Sequence, residues 1–571
     1  MNHKLLVFKK HNIVSLFILA LTSFYCILPL VIHTGLPYSH DIVFHIFQAE
    51  QFNQALHNGF LYPQWILDSN NGYGSPSFVF YSPLSYYVVS IIKMLTPSIT
   101  IAMIIAIWFS FFFSGITMFI AIDNIFGGAR SLLPAILYQI FPFHLWDLYL
   151  RGTFAEIFAF GWFPLIIFFV FKVTSSKNNN AIIGLSFSYA GLVLTHLVSS
   201  FIFSFVLGFY LIYNYFSSSD KKSILRSLFS LIIGLGMSAL YFIPVIFERK
   251  YVQIERIINC PIGNYKKNFL FIWDKTQIVL QSFYIPMHIG VVLEVMVFLS
   301  VVLLIRKNKQ LLLNRPMLHF FTFLFLFALL VTTPLSRPIW DLIPGFPFLQ
   351  FPWRWVSIME LSLCLLIGAI LSVKDFPSIR PTYLKRVFIY LLLTSSLISF
   401  ITISKSKIMP EGFINKALNP ENIRKVVDPP LEYTPVWAKN IDKIMSEVNN
   451  QKISVISGFA TTRIAEWKSE KRVIIIKAPT AVLLRISTFY YPGWSAEING
   501  KRAEISVEKD SGAMLIDIPE GSHVLELKFI DTPLRYYSKL ISLSSCFVIF
   551  LLSLFPIRPK IHSFFKKITH E

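Results

Sequence analysis

The chain carries three aromatic-rich motifs early in its sequence: SHDIVFH (39–45), LYPQW (61–65) and NNGYGSPSFVFYSPLSYY (70–87). They lie between two long apolar runs. They are too polar to sit in lipid and too aromatic for a simple linker. Asp41 directly follows the first apolar run and is flanked by His40 and His45. We therefore expect the rest of the chain to be organised around this acid.

Composition places the chain in a membrane. It has 571 residues, of which 54% are hydrophobic and only 14% charged, whereas soluble domains carry about 25% charge. Apolar runs long enough to cross a bilayer recur along the length. The net charge of +20 comes from lysines and arginines beside these runs, which is the topology signal of cytoplasmic loops. The lipid bilayer is thus the predicted partner, and nucleic acid is not.

The apolar runs and basic loops predict twelve spans with both termini in the cytoplasm. The short apolar segment 83–97 is closed by a proline, so it predicts an interfacial helix within an outer loop at 34–97. If it crossed, later basic loops would fall outside. The predicted spans are about 12–32, 99–123, 131–149, 157–172, 180–195, 201–217, 227–246, 287–305, 317–332, 354–373, 387–403 and 538–555.

Residues 404–535 change in character and contain no long apolar run. Alternating segments predict strands, separated by the turn signals NGK (499–501) and PEGSH (519–523), and 432–450 looks helical. The predicted fold is an all-α polytopic membrane protein with a small C-terminal extracytoplasmic β-domain. Its parts are a transmembrane domain at 1–403, a β-rich domain at 404–535, and a last helix with a cytoplasmic tail at 536–571. The predicted strand segments are 471–478, 481–491, 496–509, 513–518 and 523–530.

This layout resembles the GT-C superfamily of membrane glycosyltransferases, which use polyprenyl-phosphate sugars. A closer resemblance is to a bacterial membrane family labelled 6-pyruvoyl-tetrahydropterin synthase-related and akin to YfhO-type proteins. It covers almost the whole chain and implies a GT-C-like fold of about 12 transmembrane helices. The motifs that carry it are HDIVFH, YPQW, GYGSPSFVFYSPLSYY, YLRGTFAE, FPWRW and YYPGWSAEINGK.

The GT-C resemblance implies roles for particular residues. A carboxylate in the first outer loop, here Asp41, would be the catalytic base or a metal ligand, with Glu156 of the second loop in support. Arg354 in FPWRW would hold the lipid phosphate, with Arg337 as the second choice. The residues predicted to bind substrate are His40, His45, Tyr62, Trp65, Tyr81, Arg151, Arg337 and Arg354.

Structural roles compete with each of these assignments. Asp41 is also well placed to cap a helix, and Arg151 and Glu156 could form a simple ion pair. Asp41 and His45 offer two ligands to a divalent metal ion, but two ligands do not make a site, and no cofactor is specified. The pterin label would need a three-histidine zinc site, for which His57 is the third candidate. The aromatic side chains also suit an interfacial belt.

The predicted function is transfer of a sugar from a polyprenyl-phosphate donor to a lipid or cell-envelope glycan acceptor. The reaction would occur at the outer face of a bacterial cytoplasmic (inner) membrane. One alternative is a transporter or flippase of lipid-linked envelope precursors, which needs ionisable groups at mid-membrane; the predicted spans are nearly free of them. Another is a non-catalytic envelope scaffold. No Walker or G-x-G-x-x-G motif is present.

Overall fold

The computed structural model describes most of the chain. The described residues are 10–127, 130–176, 178–217, 220–259, 263–272, 281–306, 317–372, 382–419, 431–441, 444 and 451–554. The predicted cytoplasmic tail after the last helix lies outside them, as does most of the predicted helix at 432–450. Residues 431–433 form a 3₁₀ turn.

Long apolar helices dominate the first 400 residues. Within the described residues, seven helices are long and apolar enough to cross a membrane. Two further helix pairs would each make a span if their bends, of 74° and 89°, are counted as part of one crossing. The seven are Ile99–Phe126, Phe154–Ser175, Leu197–Ser217, Ile285–Arg306, Pro352–Leu371, Tyr383–Ser404 and Pro533–Leu554; the pairs are Lys222–Met237 with Ala239–Tyr251 and Met317–Thr332 with Pro334–Leu342.

Seven to nine candidate spans are fewer than the twelve predicted, and the count of twelve stays a prediction. The predicted span at 131–149 shows one physical reason. Pro142 cannot continue a hydrogen-bonded helix, and Phe141 before it adopts the extended backbone that a following proline favours. The segment is therefore three short pieces: Leu132–Ile140, Pro142–Trp146 and a π-turn, Asp147–Arg151.

Other helices pack around these spans. The segment predicted as an interfacial helix contains helix Leu84–Lys93, which is too short to cross a bilayer; its interfacial position stays a prediction. Helix Ile42–His57 follows Asp41 directly. The remaining helices of five or more residues include Lys10–Cys26, Leu28–Ile32, Asn179–Thr195 and Glu411–Ala417.

The C-terminal region is a β-sandwich. The strands of the chain are β1 Gly35–Pro37, β2 Ile408–Pro410, β3 Ile453–Ser457, β4 Thr461–Lys468, β5 Lys471–Ala478, β6 Val482–Phe489, β7 Trp494–Ile498, β8 Lys501–Ala503, β9 Ser506–Val507, β10 Ala513–Ile518 and β11 Gly521–Phe529. Strands β3 to β11 form two antiparallel sheets, with strand orders β3-β6-β10-β9 and β4-β5-β11-β7-β8, that share one apolar core.

Five strand predictions match this sandwich. The alternating segments 471–478 and 513–518 coincide with β5 and β10. Strands β3 and β4 were not predicted. Their side chains are mostly exposed or half-buried, so the sequence shows no clear alternation of a buried face.

The first loop is folded against the sandwich rather than hanging free. Trp65 is fully buried and packs edge-on against Trp494, with ring centroids 5.3 Å apart. The Phe489 backbone amide donates to the Tyr73 carbonyl at 2.9 Å. The loop also begins in a small sheet, because β1 pairs with β2. The aromatic residues of the loop thus join the helical bundle to the sandwich.

Candidate functional site

Asp41 is held against a second loop by backbone contacts. Its amide donates to the Arg151 carbonyl at 2.8 Å, and the His40 amide donates to the Leu150 carbonyl at 3.3 Å. Gly152 permits this approach. Its φ is +71°, and a Cβ there would lie 2.3 Å from the Ser39 hydroxyl oxygen. The two loops that the resemblance singled out therefore meet at one place.

The Asp41 carboxyl does not cap the helix it precedes. Asp41 occupies the N-cap position of helix Ile42–His57, but its side chain makes no capping hydrogen bond. The side chain is exposed, yet the surrounding protein removes enough of its hydration to raise its pKa. The positive charges of Arg151, His40 and Arg354 oppose that rise. The hydrogen bond that a helix-capping role for Asp41 would require is therefore not made.

Arg151 is locked in place by two buried acids. Its Nη1 pairs with Asp147, and its Nη2 donates to Glu156 Oε2 at 2.8 Å. Its guanidinium also stacks over Trp353, 4.4 Å from the ring centroid. Asp147 is fully buried, and its Oδ2 has no hydrogen-bond partner among the described residues. Arg151 therefore positions its neighbours more than it offers charge to a ligand.

Arg354 is held less tightly on the other side of Glu156. Its Nε lies 3.5 Å from Glu156 Oε2, beyond ordinary hydrogen-bond length, and its Nη1 donates to the Leu349 carbonyl at 3.0 Å. It begins the candidate span Pro352–Leu371 and is 8% exposed. Asp41, Asp147, Arg151, Glu156 and Arg354 form what we call the Asp41 cluster, with three acids and two arginines.

Tyr81 and two histidines border the cluster. Tyr81 interacts electrostatically with Asp41, Arg354 and Glu156. Burial lowers the pKa of His45 to about 3 and that of His196 to about 4, so both imidazoles are neutral at pH 7. Neither can supply a positive charge to a phosphate.

Three residues predicted to bind substrate lie elsewhere. Trp65 has no exposed surface, because it packs into the sandwich core. Tyr62 donates its hydroxyl to the Leu240 carbonyl at 3.4 Å and faces Lys539 of the last helix. Arg337 is exposed, and its Nε lies 3.7 Å from a carboxylate oxygen of Asp341, which is also exposed. The structure does not bring these three to Asp41.

The donor set around Asp41 does not suit a metal ion. His45 is buried, its Nδ1 lies 2.9 Å from the Tyr86 hydroxyl, and its ring is surrounded by aromatic rings. Asp147 and Glu156 are engaged by arginines. Across the described residues, no three His, Cys, Asp or Glu side chains converge as a ligand set.

The three-histidine arrangement of a pterin-type zinc site does not form either. His57 ends the helix that begins beside Asp41, so its backbone lies about 18 Å along the axis from that of His45. His40 and His57 are exposed, whereas His45 is buried.

Sequence reasoning missed several ionisable groups. His196 is in none of the sequence motifs considered above, but it interacts electrostatically with Glu156, Arg354 and Arg151. Its position between helices Asn179–Thr195 and Leu197–Ser217 is the feature of the sequence that could have drawn attention to it. Glu294 and Glu360 were overlooked inside apolar runs, and both are buried in candidate spans. The expectation that the spans are nearly free of ionisable groups is therefore wrong at these two positions.

A family model described as "6-pyruvoyl-tetrahydropterin synthase related domain; membrane protein" matches residues 78–403. The chain belongs to this family. The match includes Glu156 and Arg354 and stops before the sandwich, while Asp41 precedes it. Membership establishes a membrane protein and agrees with the resemblance seen in the motifs.

The similarity to an individual curated protein is low and covers part of the chain. An uncharacterized protein of Lactococcus lactis subsp. cremoris (strain MG1363) is 24% identical over 281 residues, which is 46% of this chain and 43% of that protein. The chain thus spans less than half of this relative.

Two structures of the Archaeoglobus fulgidus oligosaccharyltransferase are similar to the chain. The apo form gives a TM-score of 0.46 at 12% identity and covers 74% of this chain and 59% of that one. The complex with zinc and sulfate gives 0.40 at 14% identity, covering 72% and 55%. The chain spans less than two thirds of either structure.

Proposed function

We propose that this protein is an integral membrane glycosyltransferase with a GT-C-like fold. It takes a sugar from a polyprenyl-phosphate donor and passes it to a lipid or a cell-envelope glycan. The reaction takes place at the extracytoplasmic face of a bacterial cytoplasmic membrane. The observation that carries the proposal is the Asp41 cluster, where a solvent-reached carboxylate lies beside two arginines at the start of a candidate span.

The chemistry divides between the two ends of the cluster. Transfer forms a bond from the acceptor oxygen to the anomeric carbon and breaks the bond from that carbon to the phosphate oxygen. The Asp41 carboxylate accepts the proton of the attacking hydroxyl. Its raised pKa makes it a stronger base than an ordinary aspartate. The departing phosphate keeps the bonding electrons and is stabilised by a cation.

Arg354 is the better of the two arginines for that phosphate. Arg151 is neutralised by two close carboxylates, whereas the one acidic contact of Arg354 among the described residues is the longer one with Glu156. A phosphate arriving beside Arg354 would therefore displace little. Glu156 and Arg151 act as positioning residues, since they fix Arg354 and the Asp41 loop. No step here passes through a metal ion, because the donor set does not suit one.

His40 and Tyr81 complete the substrate side of the site. His40 is exposed next to Asp41, and Tyr81 is half-buried beside the same carboxylate. Both offer hydrogen-bonding groups to sugar hydroxyls. The neutral His45 keeps the Tyr86 ring in place behind them.

The test is turnover in proteoliposomes with a panel of polyprenyl-phosphate sugars and envelope acceptors. Wild type should release polyprenyl phosphate with some donor, and Asp41→Asn should lose about 10²–10⁴-fold in rate. A chelator should leave the wild-type rate unchanged. Equal turnover by Asp41→Asn would refute the base assignment, and loss of activity with chelator would restore the metal alternative.

Transport of lipid-linked precursors is the second candidate, and the buried Glu294 and Glu360 favour it. It predicts movement of the intact sugar lipid between leaflets without release of polyprenyl phosphate. The same proteoliposomes separate the two, because hydrolytic or transferase release is assayed apart from leaflet exchange.

A further inference from the structure

Two glutamates lie against each other inside the helical bundle. Glu294 is in candidate span Ile285–Arg306 and Glu360 in Pro352–Leu371, and they are 1% and 0% exposed. Their carboxyl groups interact directly. Glu294 precedes Arg306 by 12 residues, about 18 Å along the helix, so it sits near the middle of a hydrocarbon core about 30 Å thick.

The pair is short of polar partners. Glu360 Oε1 accepts the Phe143 amide at 2.9 Å. Glu360 Oε2 and both Glu294 oxygens have no hydrogen-bond partner within 3.5 Å among the described residues. No Lys, Arg or His nitrogen of those residues lies within 4.0 Å of either carboxylate. Two ionised carboxylates here would face both desolvation and mutual repulsion.

We propose that Glu294 and Glu360 form a proton-binding site inside the helix bundle, in which the two carboxyl groups share at least one proton from neutral pH up to about pH 8.5. A proton removes the repulsion and supplies the donor that three unpartnered oxygens lack. The proposal rests on the pair's own contacts and holds whether or not the Asp41 cluster transfers sugars.

The groups that face the pair do not supply a positive charge. Cys364 lies one turn further along the helix of Glu360, and Tyr138 approaches from helix Leu132–Ile140. Asp147 acts on Glu360 from the π-turn and adds negative charge. Because Asp147 belongs to the Asp41 cluster, where it pairs with Arg151, it links the proton site to that cluster. A proton on the pair therefore changes the potential felt by that cluster.

Infrared spectroscopy of the whole protein in lipid tests this directly. A protonated carboxylic acid has a C=O stretch that is separate from the carboxylate bands and shifts in D₂O. The measurement is best made at about pH 8.5, since burial raises the pKa of Glu470, another buried glutamate, only to about 7. Glu156 and Glu248 each form an ion pair with a buried arginine.

The expected result is a band in wild type that disappears in Glu294→Gln/Glu360→Gln. It should persist in the matched control Glu470→Gln, which also replaces a buried glutamate. No band in wild type, or a band that survives in the double variant, would overturn the proposal.

If the double variant does not fold, glutamate carrying ¹³C in its side-chain carboxyl decides the matter in wild type. The band must then shift, because it belongs to glutamate. An unshifted band would belong to an aspartate such as Asp147, and the proposal would fail.

Discussion

Two ion-pair networks in this protein differ in how well their carboxylates are satisfied and in whether their charges balance. One is the Asp41 cluster. The other, which we call the Glu248 junction, consists of Glu248, Tyr491, Thr532 and Arg535. It joins the end of helix Ala239–Glu248, the sandwich and the start of the last helix.

Both carboxylate oxygens of Glu248 are used, although Arg535 Nη1 has no hydrogen-bond partner among the described residues. Glu248 Oε1 accepts from Arg535 Nε at 3.0 Å and from the Thr532 hydroxyl at 3.1 Å. Its Oε2 accepts from Arg535 Nη2 at 2.7 Å and from the Tyr491 hydroxyl at 2.8 Å. Glu248 and Arg535 are each 2% exposed, and their charges balance.

The Asp41 cluster has one more acid than it has arginines. The exposed Asp41 carboxyl makes no capping hydrogen bond, and Asp147 Oδ2 has no hydrogen-bond partner among the described residues. Networks whose carboxylates are satisfied and whose charges balance hold a fold together, whereas unsatisfied carboxylates stay available for chemistry. The comparison therefore assigns structure to the junction and function to the cluster. The predictions below test this division.

The largest effect should follow from Arg535→Met. It leaves Glu248 buried without its cation, which typically costs about 3–5 kcal/mol of unfolding free energy. The midpoint of thermal unfolding, followed by tryptophan fluorescence in detergent, should fall accordingly. Glu248→Gln/Arg535→Met should recover part of the loss, since no lone charge remains. An unchanged midpoint in the single variant would remove the junction's structural role.

Arg354→Gln should weaken binding of polyprenyl phosphate by tenfold or more while the unfolding midpoint moves little. A hydrogen bond to a charged group contributes about 1.5–3 kcal/mol. Binding to protein in nanodiscs measures it. Arg337→Gln is the matched control. Arg337 is exposed, and among the described residues its one ion-pair partner is the exposed Asp341. Equal loss in both variants would indicate a general charge effect.

Glu470→Gln should stabilise the protein by about 1–3 kcal/mol at pH 8 and hardly at pH 4. Burial raises the pKa of Glu470 from 4.5 to about 7. Between these values the folded protein keeps a proton that the unfolded chain has lost, so stability falls as pH rises. Glutamine pays no such penalty and still accepts from the Gln64 amide, which now donates to Glu470 at 2.7 Å. Denaturant unfolding at the two pH values measures the difference, and equal effects at both would contradict it.

The smallest effect should come from His40→Gln. Activity should fall on acidification as pH drops through the raised pKa of Asp41. His40 opposes that rise, so its removal should move the acid limb of kcat/KM to higher pH by a fraction of a unit. The control is His57→Gln, at the C-terminal end of helix Ile42–His57, which should leave the pH profile of kcat/KM unchanged. A shift to lower pH would have the wrong sign for this account.

Local patterns predicted much of this molecule. Alternation over 471–478 specifies β5, and the short apolar segment ending near Pro97 forms a short helix, Leu84–Lys93. The motifs also picked out Asp41, Arg151, Glu156 and Arg354, which the fold brings together. The strand and the helix depend on neighbouring residues in the sequence. The cluster residues come from a family resemblance that assigns related roles to separate loops.

Features that depend on tertiary packing were not predictable. Glu294 and Glu360 are 66 positions apart on different helices, and hydropathy does not report which faces meet. Trp65 was expected to bind a sugar, but its ring lies in the sandwich core. His196 approaches the cluster only because two helices turn at that point. In each case the sequence names a residue type but not its surroundings.

Turnover per folded molecule, measured side by side for Asp41→Asn and Arg535→Met, tests the division most directly. The account predicts that Asp41→Asn unfolds at the wild-type midpoint and does not turn over a polyprenyl-phosphate sugar that wild type uses. Arg535→Met should unfold earlier but turn over near the wild-type rate per folded molecule. Wild-type turnover by Asp41→Asn would contradict the central claim that the Asp41 cluster is the reaction site.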